Sequence, residues 1–70
     1  MNAIASERVR IGLSQGDLAD QLGLKTRSSV ANWENGGDIP SSKLVLMSEL
    51  FHCSVDYLLG LTDERTSRAS

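Results

Sequence analysis

LSQGDLADQLGLKTRSSVANWENGG, Leu13 to Gly37, holds two short amphipathic runs separated by Gly23. In the first, Leu18, Ala19 and Leu22 recur at three- and four-residue spacing, the period of one helix face. Ser14 precedes the run and Asp17 stands three residues on, the pattern of a capping box with Asp in place of the usual Glu. Gly23 ends this helix, because glycine readily takes the left-handed conformation of a sharp turn, and Leu24 offers an apolar side chain to pin the turn to a core. Thr26 is a suitable N-cap for a further helix from about Arg27 to Glu34. At about 100° per residue, Val30 and Trp33 fall within about 60° of each other and face inward. Ser28 and Asn32 lie opposite, flanked by Ala31 and Asn35, so the outward face is small and polar with Arg27 at its leading end.

Outward from this stretch the pattern stays helical. Residues Asn2 to Ile11 carry apolar positions at Ile4, Ala5, Val9 and Ile11, which suits a short helix closed by Gly12. Asn35 to Asp38 is a loop by composition, Pro40 closes it, and Ser41 or Ser42 can cap a fourth helix. Lys43 to Phe51 repeats apolar residues at Leu44, Met47, Leu50 and Phe51, with Val45 and Leu46 alongside. Ser54 begins a last short helix whose expected buried stripe is Val55, Leu58 and Leu59, and Gly60 stops it. From Thr62 the chain reads TDERTSRAS and offers nothing to a core, so residues 62–70 are expected to form a polar, disordered tail. The sequence shows no strand pattern and no internal repeat. The expected fold class is all-α, five short helices in one domain over residues 2–61.

Composition narrows the function. A chain of 70 residues, 40% of them apolar, is one small domain near the lower limit at which a single core holds a fold. MNAIASERVR lacks the apolar centre of a secretory signal, and no window approaches the roughly 20 apolar residues of a membrane span. The expectation is a cytoplasmic protein without a membrane partner. Cys53 is the lone cysteine and His52 the lone histidine, which leaves no intrachain disulfide, no expected metal and no expected cofactor. A single histidine without a paired nucleophile, and carboxylates scattered over helix faces, point away from an enzyme. The net charge of −2 excludes an indiscriminate polyelectrolyte binder, so any acidic partner must be met through a local basic patch. Arg8, Arg10, Lys25 and Arg27 lie in the first half, Lys43 comes later, and Arg65 and Arg68 fall in the tail.

Two helices joined by a turn at Gly23, the second presenting small polar side chains, have the form of a helix-turn-helix, whose second helix enters the major groove of DNA. LSQGDLADQLGL, VANWENG and SVDYLLG, in that order and spacing, resemble the Cro/C1-type (XRE-like) helix-turn-helix family of phage and bacterial repressors over roughly residues 4 to 60. The resemblance implies a lambda-repressor-like domain with the helix-turn-helix in helices 2 and 3. It implies base contacts by Arg27, Ser28, Ala31 and Asn32. Arginine can bond guanine and asparagine adenine bidentately, each worth about 1–3 kcal/mol of discrimination, while an alanine methyl can touch a thymine methyl. Phosphate contacts are expected from Gln15, Lys25, Thr26, Asn35, Lys43 and the backbone N–H groups around Gly36 and Gly37. Gln15 sits at the first turn of helix 2, where free N–H groups favour an anion. Ala19 matches the small residue that lets helices 2 and 3 pack closely, and Arg8 and Glu34 match a pair that bridges helix 1 to the end of the recognition helix. Trp33 belongs on the core side with Val30.

The sequence departs from the family pattern twice. Gly23 to Trp33 spans one residue more than the commonest spacing, with the extra residue in the turn at Lys25 or Thr26, which leaves Arg27 open between a base and a phosphate. The loop after helix 3, often basic in the family, carries Asp38 and no cation, which predicts weaker nonspecific binding and a shallower salt dependence. The resemblance further implies a transcriptional repressor that binds a double-stranded, pseudo-palindromic operator as a homodimer, paired near helix 5 through Val55, Tyr57 and Leu61. An alternative stays open: the same fold can serve as a protein-interaction module, an antitoxin or a phage regulator, and the acidic balance fits that use.

Overall fold

The computed structural model describes residues 2–66 and is helical, with no strand among them. Five helices succeed one another: α1 (Ile4–Arg10), α2 (Gln15–Gln21), α3 (Ser28–Glu34), α4 (Ser41–Phe51) and α5 (Val55–Leu58). Each short helix is stabilised by what it buries, since helices of two turns are not stable alone. The core is Ile4 from α1, Leu18, Ala19 and Leu22 from α2 and its C-cap, Val30 and Trp33 from α3, Met47 and Phe51 from α4, then Cys53 and Leu58. Leu13, Leu24, Ile39, Leu44 and Tyr57 close its rim.

Local chemistry sets the helix ends. The Ser14 hydroxyl accepts from the Asp17 N–H, and the Asp17 carboxylate accepts from the Ser14 N–H, both at 3.0 Å, which completes the capping box. That bond from the Ser14 backbone, and then the bond to its side chain, hold the Asp17 carboxyl below its ordinary range. The Ser54 hydroxyl accepts from the Tyr57 N–H at 3.0 Å and starts α5. Helix 4 differs from expectation at its start. It begins at Ser41, and neither Ser41 nor Ser42 caps it; the Pro40 carbonyl accepts from Lys43 and Leu44 instead, because the fixed proline backbone already leads into the first turn. The helix ends at His52, whose left-handed backbone (φ 55, ψ 48) lets the Cys53 N–H reach the Ser48 carbonyl at 3.1 Å.

Two further expectations change. Leu59 is not part of a buried stripe. It is 39% exposed, because α5 is a single turn and Leu59 lies just beyond it, leaving Leu58 alone fully buried. Residues 62–66 are not a loose tail either. The Arg65 carbonyl accepts from the Ser54 N–H at 2.7 Å, and its guanidinium reaches both Glu7 and the Phe51 carbonyl. Residues 67–70, the rest of the expected tail, lie outside the described residues.

Glu7 is the reason the segment docks. It is 3% exposed on the buried side of α1, where an ionised carboxylate is costly unless paired. Arg65 donates Nη2 to its Oε1 at 2.5 Å and Nε to both oxygens at 3.2 Å, and Arg10 donates Nε at 3.2 Å. Both guanidiniums also donate to the Phe51 carbonyl, at 2.8 and 2.9 Å, one of the orphan acceptors at the end of α4. The Arg65 hydrogen bonds dominate, and despite burial they hold the Glu7 carboxyl below its ordinary value. Cys53 lies nearby with its thiol pushed up, first by burial and then by the Glu7 charge, so it behaves as a packed apolar residue.

Candidate nucleic-acid interface

The candidate surface is built on α2, the turn and α3. The turn works because Gly23, at φ +72, reverses the chain so that the Leu24 N–H bonds the Ala19 carbonyl at 2.9 Å and the Leu24 side chain packs on the core. Lys43, from the first turn of α4, donates Nζ to the Leu22 carbonyl at 2.7 Å and ties the end of α2 to a third helix. The Thr26 hydroxyl accepts from the Ser28 N–H at 3.2 Å, while the Arg27 carbonyl accepts the Ala31 N–H at 3.0 Å. Arg27 is therefore the entry residue of α3, with Ser28 the first regular helical position.

Val30 and Trp33, 0% and 4% exposed, hold α3 to the core, so the helix cannot rotate without unpacking its tryptophan. The opposite side carries Arg27, Ser28 and Asn32, all exposed, with Ala31 half-buried between them. No large aliphatic side chain interrupts this face. Such a surface can approach a polar groove closely and exchange hydrogen bonds with it.

Beside it lies a three-residue junction. Arg8 donates Nε to Glu34 Oε2 at 2.7 Å, Gln15 donates Nε2 to Glu34 Oε1 at 3.0 Å, and Arg8 also donates to the Leu13 carbonyl at 2.9 Å. Arg8 and Glu34 retain 15% and 11% side-chain exposure, which makes this a nearly enclosed, charge-assisted link from α1 and the start of α2 to the end of α3. Gln15 enters it directly, leaving the second amide N–H as its remaining donor.

The residues expected at phosphates divide. Lys25 and Thr26 stand exposed on the turn beside α3. Lys43 keeps two N–H groups beyond the one spent on Leu22. Asn35 is exposed, but its side-chain amide donates to the Ala31 carbonyl at 3.0 Å. The backbone N–H groups of Gly36 and Gly37 are not free donors: they bond the carbonyls of Trp33 at 3.0 Å and Asn32 at 2.9 Å. The physical reason is that the last turn of α3 exposes unpaired carbonyls, and the nearest amides close them. Composition marked the loop but could not reveal that its donors were taken. Sequence reasoning also missed the Lys43 link, because a lysine near the start of a new helix carries no sign of which distant carbonyl it will meet.

Among the described residues, no group of three or more His, Cys, Asp or Glu is placed to hold a metal ion, and no helix is long and apolar enough to cross a membrane. A surface cavity of about 560 Å³ is lined by Asn2, the stretch from Glu34 to Ile39, and Leu59. Every buried polar side-chain atom among the described residues is hydrogen-bonded.

A stacked α2–turn–α3 unit buttressed by three other helices is a helix-turn-helix domain, and the chain belongs to the helix-turn-helix family HTH_3, whose model matches residues 4–58. Its relatives include an uncharacterized HTH-type transcriptional regulator, YobD, of Bacillus subtilis (strain 168), to which it is 40% identical over 53 residues. That match covers 74% of this chain and 46% of YobD, so the chain spans about half the length of the curated relative it matches.

Proposed function

We propose that this protein is a sequence-specific double-stranded DNA-binding transcriptional regulator that reads its site with α3. The observation that carries the reading is the two-sidedness of that helix: Val30 and Trp33 fix it inward, and Arg27, Ser28 and Asn32 stand outward without a large aliphatic residue among them. Laid in the major groove, Asn32 and Arg27 supply the donors that discriminate bases, and Ala31 and Ser28 permit close approach. Lys25 and Thr26, with Gln15, Asn35 and Lys43 at the margin, contact phosphates and set the register without reading sequence. Occupying a promoter in this way makes it a repressor. One α3 spans only a few base pairs, so the functional unit is a homodimer on a pseudo-palindromic operator with half-sites about one helical turn apart. Val55, Tyr57 and Leu61 form the pairing surface; Leu61 is 72% exposed and Val55 and Tyr57 are half-buried, which supports that role.

The test is selection of bound sites from a random duplex library, then fluorescence titration of the recovered site and of scrambled DNA at several salt concentrations. A symmetric motif with two half-sites supports the dimer reading. No preference over random duplex at low salt would sink the proposal. In that case the net charge of −2 and the acidic loop at Asp38 favour the second reading, a protein-interaction module on the same fold.

A further inference from the structure

We infer that Gly37 is a positioning residue for Asn32, and through it sets the base preference of α3; the inference rests on the reading of α3 as the helix that meets base edges. The Asn32 carboxamide lies against the backbone of Gly37. A methyl group at residue 37 would fall inside that carboxamide, 2.6 Å from its Cγ and 2.8 Å from its Oδ1, with Nδ2 closer still. At Gly12, Gly23 and Gly36 the same addition would meet nothing within 4 Å. Those three glycines have positive φ, whereas the φ of Gly37 lies outside the left-handed region. Backbone conformation therefore does not require glycine at residue 37. What the missing side chain provides is space, and Asn32 occupies it.

The seat is fixed relative to the helix. The Gly37 N–H donates to the Asn32 carbonyl at 2.9 Å, so the residue that receives the carboxamide is tied to the backbone of the residue that bears it. An asparagine on an exposed helix face would otherwise sample several rotamers, and a bidentate bond to adenine requires one of them in a defined plane. A carboxamide already resting on the loop has fewer orientations to lose when it binds, and pre-organisation of this kind raises the discrimination a contact delivers. An added Cβ displaces the far end of a flexible side chain and not a backbone segment, so the helix itself is retained while Asn32 is turned out of its seat.

The experiment uses the full chain as wild type, Asn32→Ala, Gly37→Ala and the double variant. Each is measured by base preference in the duplex library, by affinity for the selected site, by the side-chain amide NMR signals of Asn32 and by thermal melting. Gly37→Ala is expected to move the Asn32 amide signals and to weaken preference, roughly tenfold, at the one base pair that Asn32→Ala relaxes. Adding Gly37→Ala to Asn32→Ala should then change nothing further at that base pair. If Gly37→Ala lowers the melting temperature and the double variant restores it towards that of Asn32→Ala, the clash is read directly and the seat is supported. The inference is overturned if Gly37→Ala leaves the base preference intact, or weakens all duplexes equally. It is also overturned if residue 37 destabilises the fold equally with and without Asn32. A wild-type protein with no base preference at all overturns the reading of α3 itself, and is recognised from the wild type alone.

Discussion

Replacing Glu7 by glutamine is the perturbation that best tests why residues 62–66 dock on the domain. Glutamine fills the same volume but carries no charge, keeps one acceptor oxygen, and turns an N–H₂ donor toward two guanidiniums that only donate. Removing one partner of a buried ion pair costs about 3–5 kcal/mol when the remaining charge is stranded. Here the partners are not stranded, since the side chains of Arg65 and Arg10 are 38% and 45% exposed and can rehydrate. What is lost is nearer to the worth of charge-assisted hydrogen bonds at a 3% exposed carboxylate, so a cost of about 2 kcal/mol is expected. Against a total of roughly 4–10 kcal/mol for a chain of 70 residues, that is a large fraction. With a urea slope near 1 kcal/mol per molar for so small a domain, the midpoint should fall by about 2 M.

The pH dependence supplies the second arm. The Glu7 carboxyl titrates below its ordinary value of 4.5 in the folded chain, mainly because of the Arg65 hydrogen bonds, so the unfolded chain holds that proton more tightly. Its contribution is fully present above the unfolded value and is lost as pH falls through the folded one. Wild type and Glu7→Gln should accordingly differ most near neutral pH and converge in acid. Urea unfolding monitored by circular dichroism across that range makes the comparison. Equal midpoints at neutral pH, or a difference that persists undiminished in strong acid, would refute the assignment of Glu7 as the charged anchor.

Three further outcomes are expected. Trp33→Ala should destabilise the domain by about 3–5 kcal/mol in the same urea assay, because it empties the site of a buried ring that also fixes α3. His52→Gly should stabilise by up to about 1 kcal/mol and raise the melting temperature by several degrees, since His52 is an exposed residue held in the left-handed region where glycine carries no Cβ penalty. Lys25→Ala should weaken selected and random duplexes alike and reduce the slope of log affinity against log salt by about one, as measured by titration at several salt concentrations.

The split between local and distant information runs through each of these residues. Ser14 with Asp17, and Ser54 before its helix, were legible because a cap acts over two or three residues. The inward turn of Val30 and Trp33 was legible because helical period alone fixes which side chains share a face. The pairing of Arg8 with Glu34 is 26 residues long and entered only through the family resemblance. Leu59 misled because periodicity assumes a helix long enough to carry it, and α5 ends one residue earlier.

By itself, then, the sequence determined the helices, the caps at Ser14 and Ser54, the turn at Gly23 and the family to which the chain belongs, all of which rest on short-range spacing and backbone preference. Tertiary structure alone decided which polar groups are already spent. Arg65 finds Glu7 across 58 residues, Lys43 finds the Leu22 carbonyl, Gln15 joins Glu34, and Gly37 receives Asn32. No periodicity encodes these partners. They are chosen when packing brings a buried charge, an orphan carbonyl or an empty Cβ position within reach of a side chain able to satisfy or fill it.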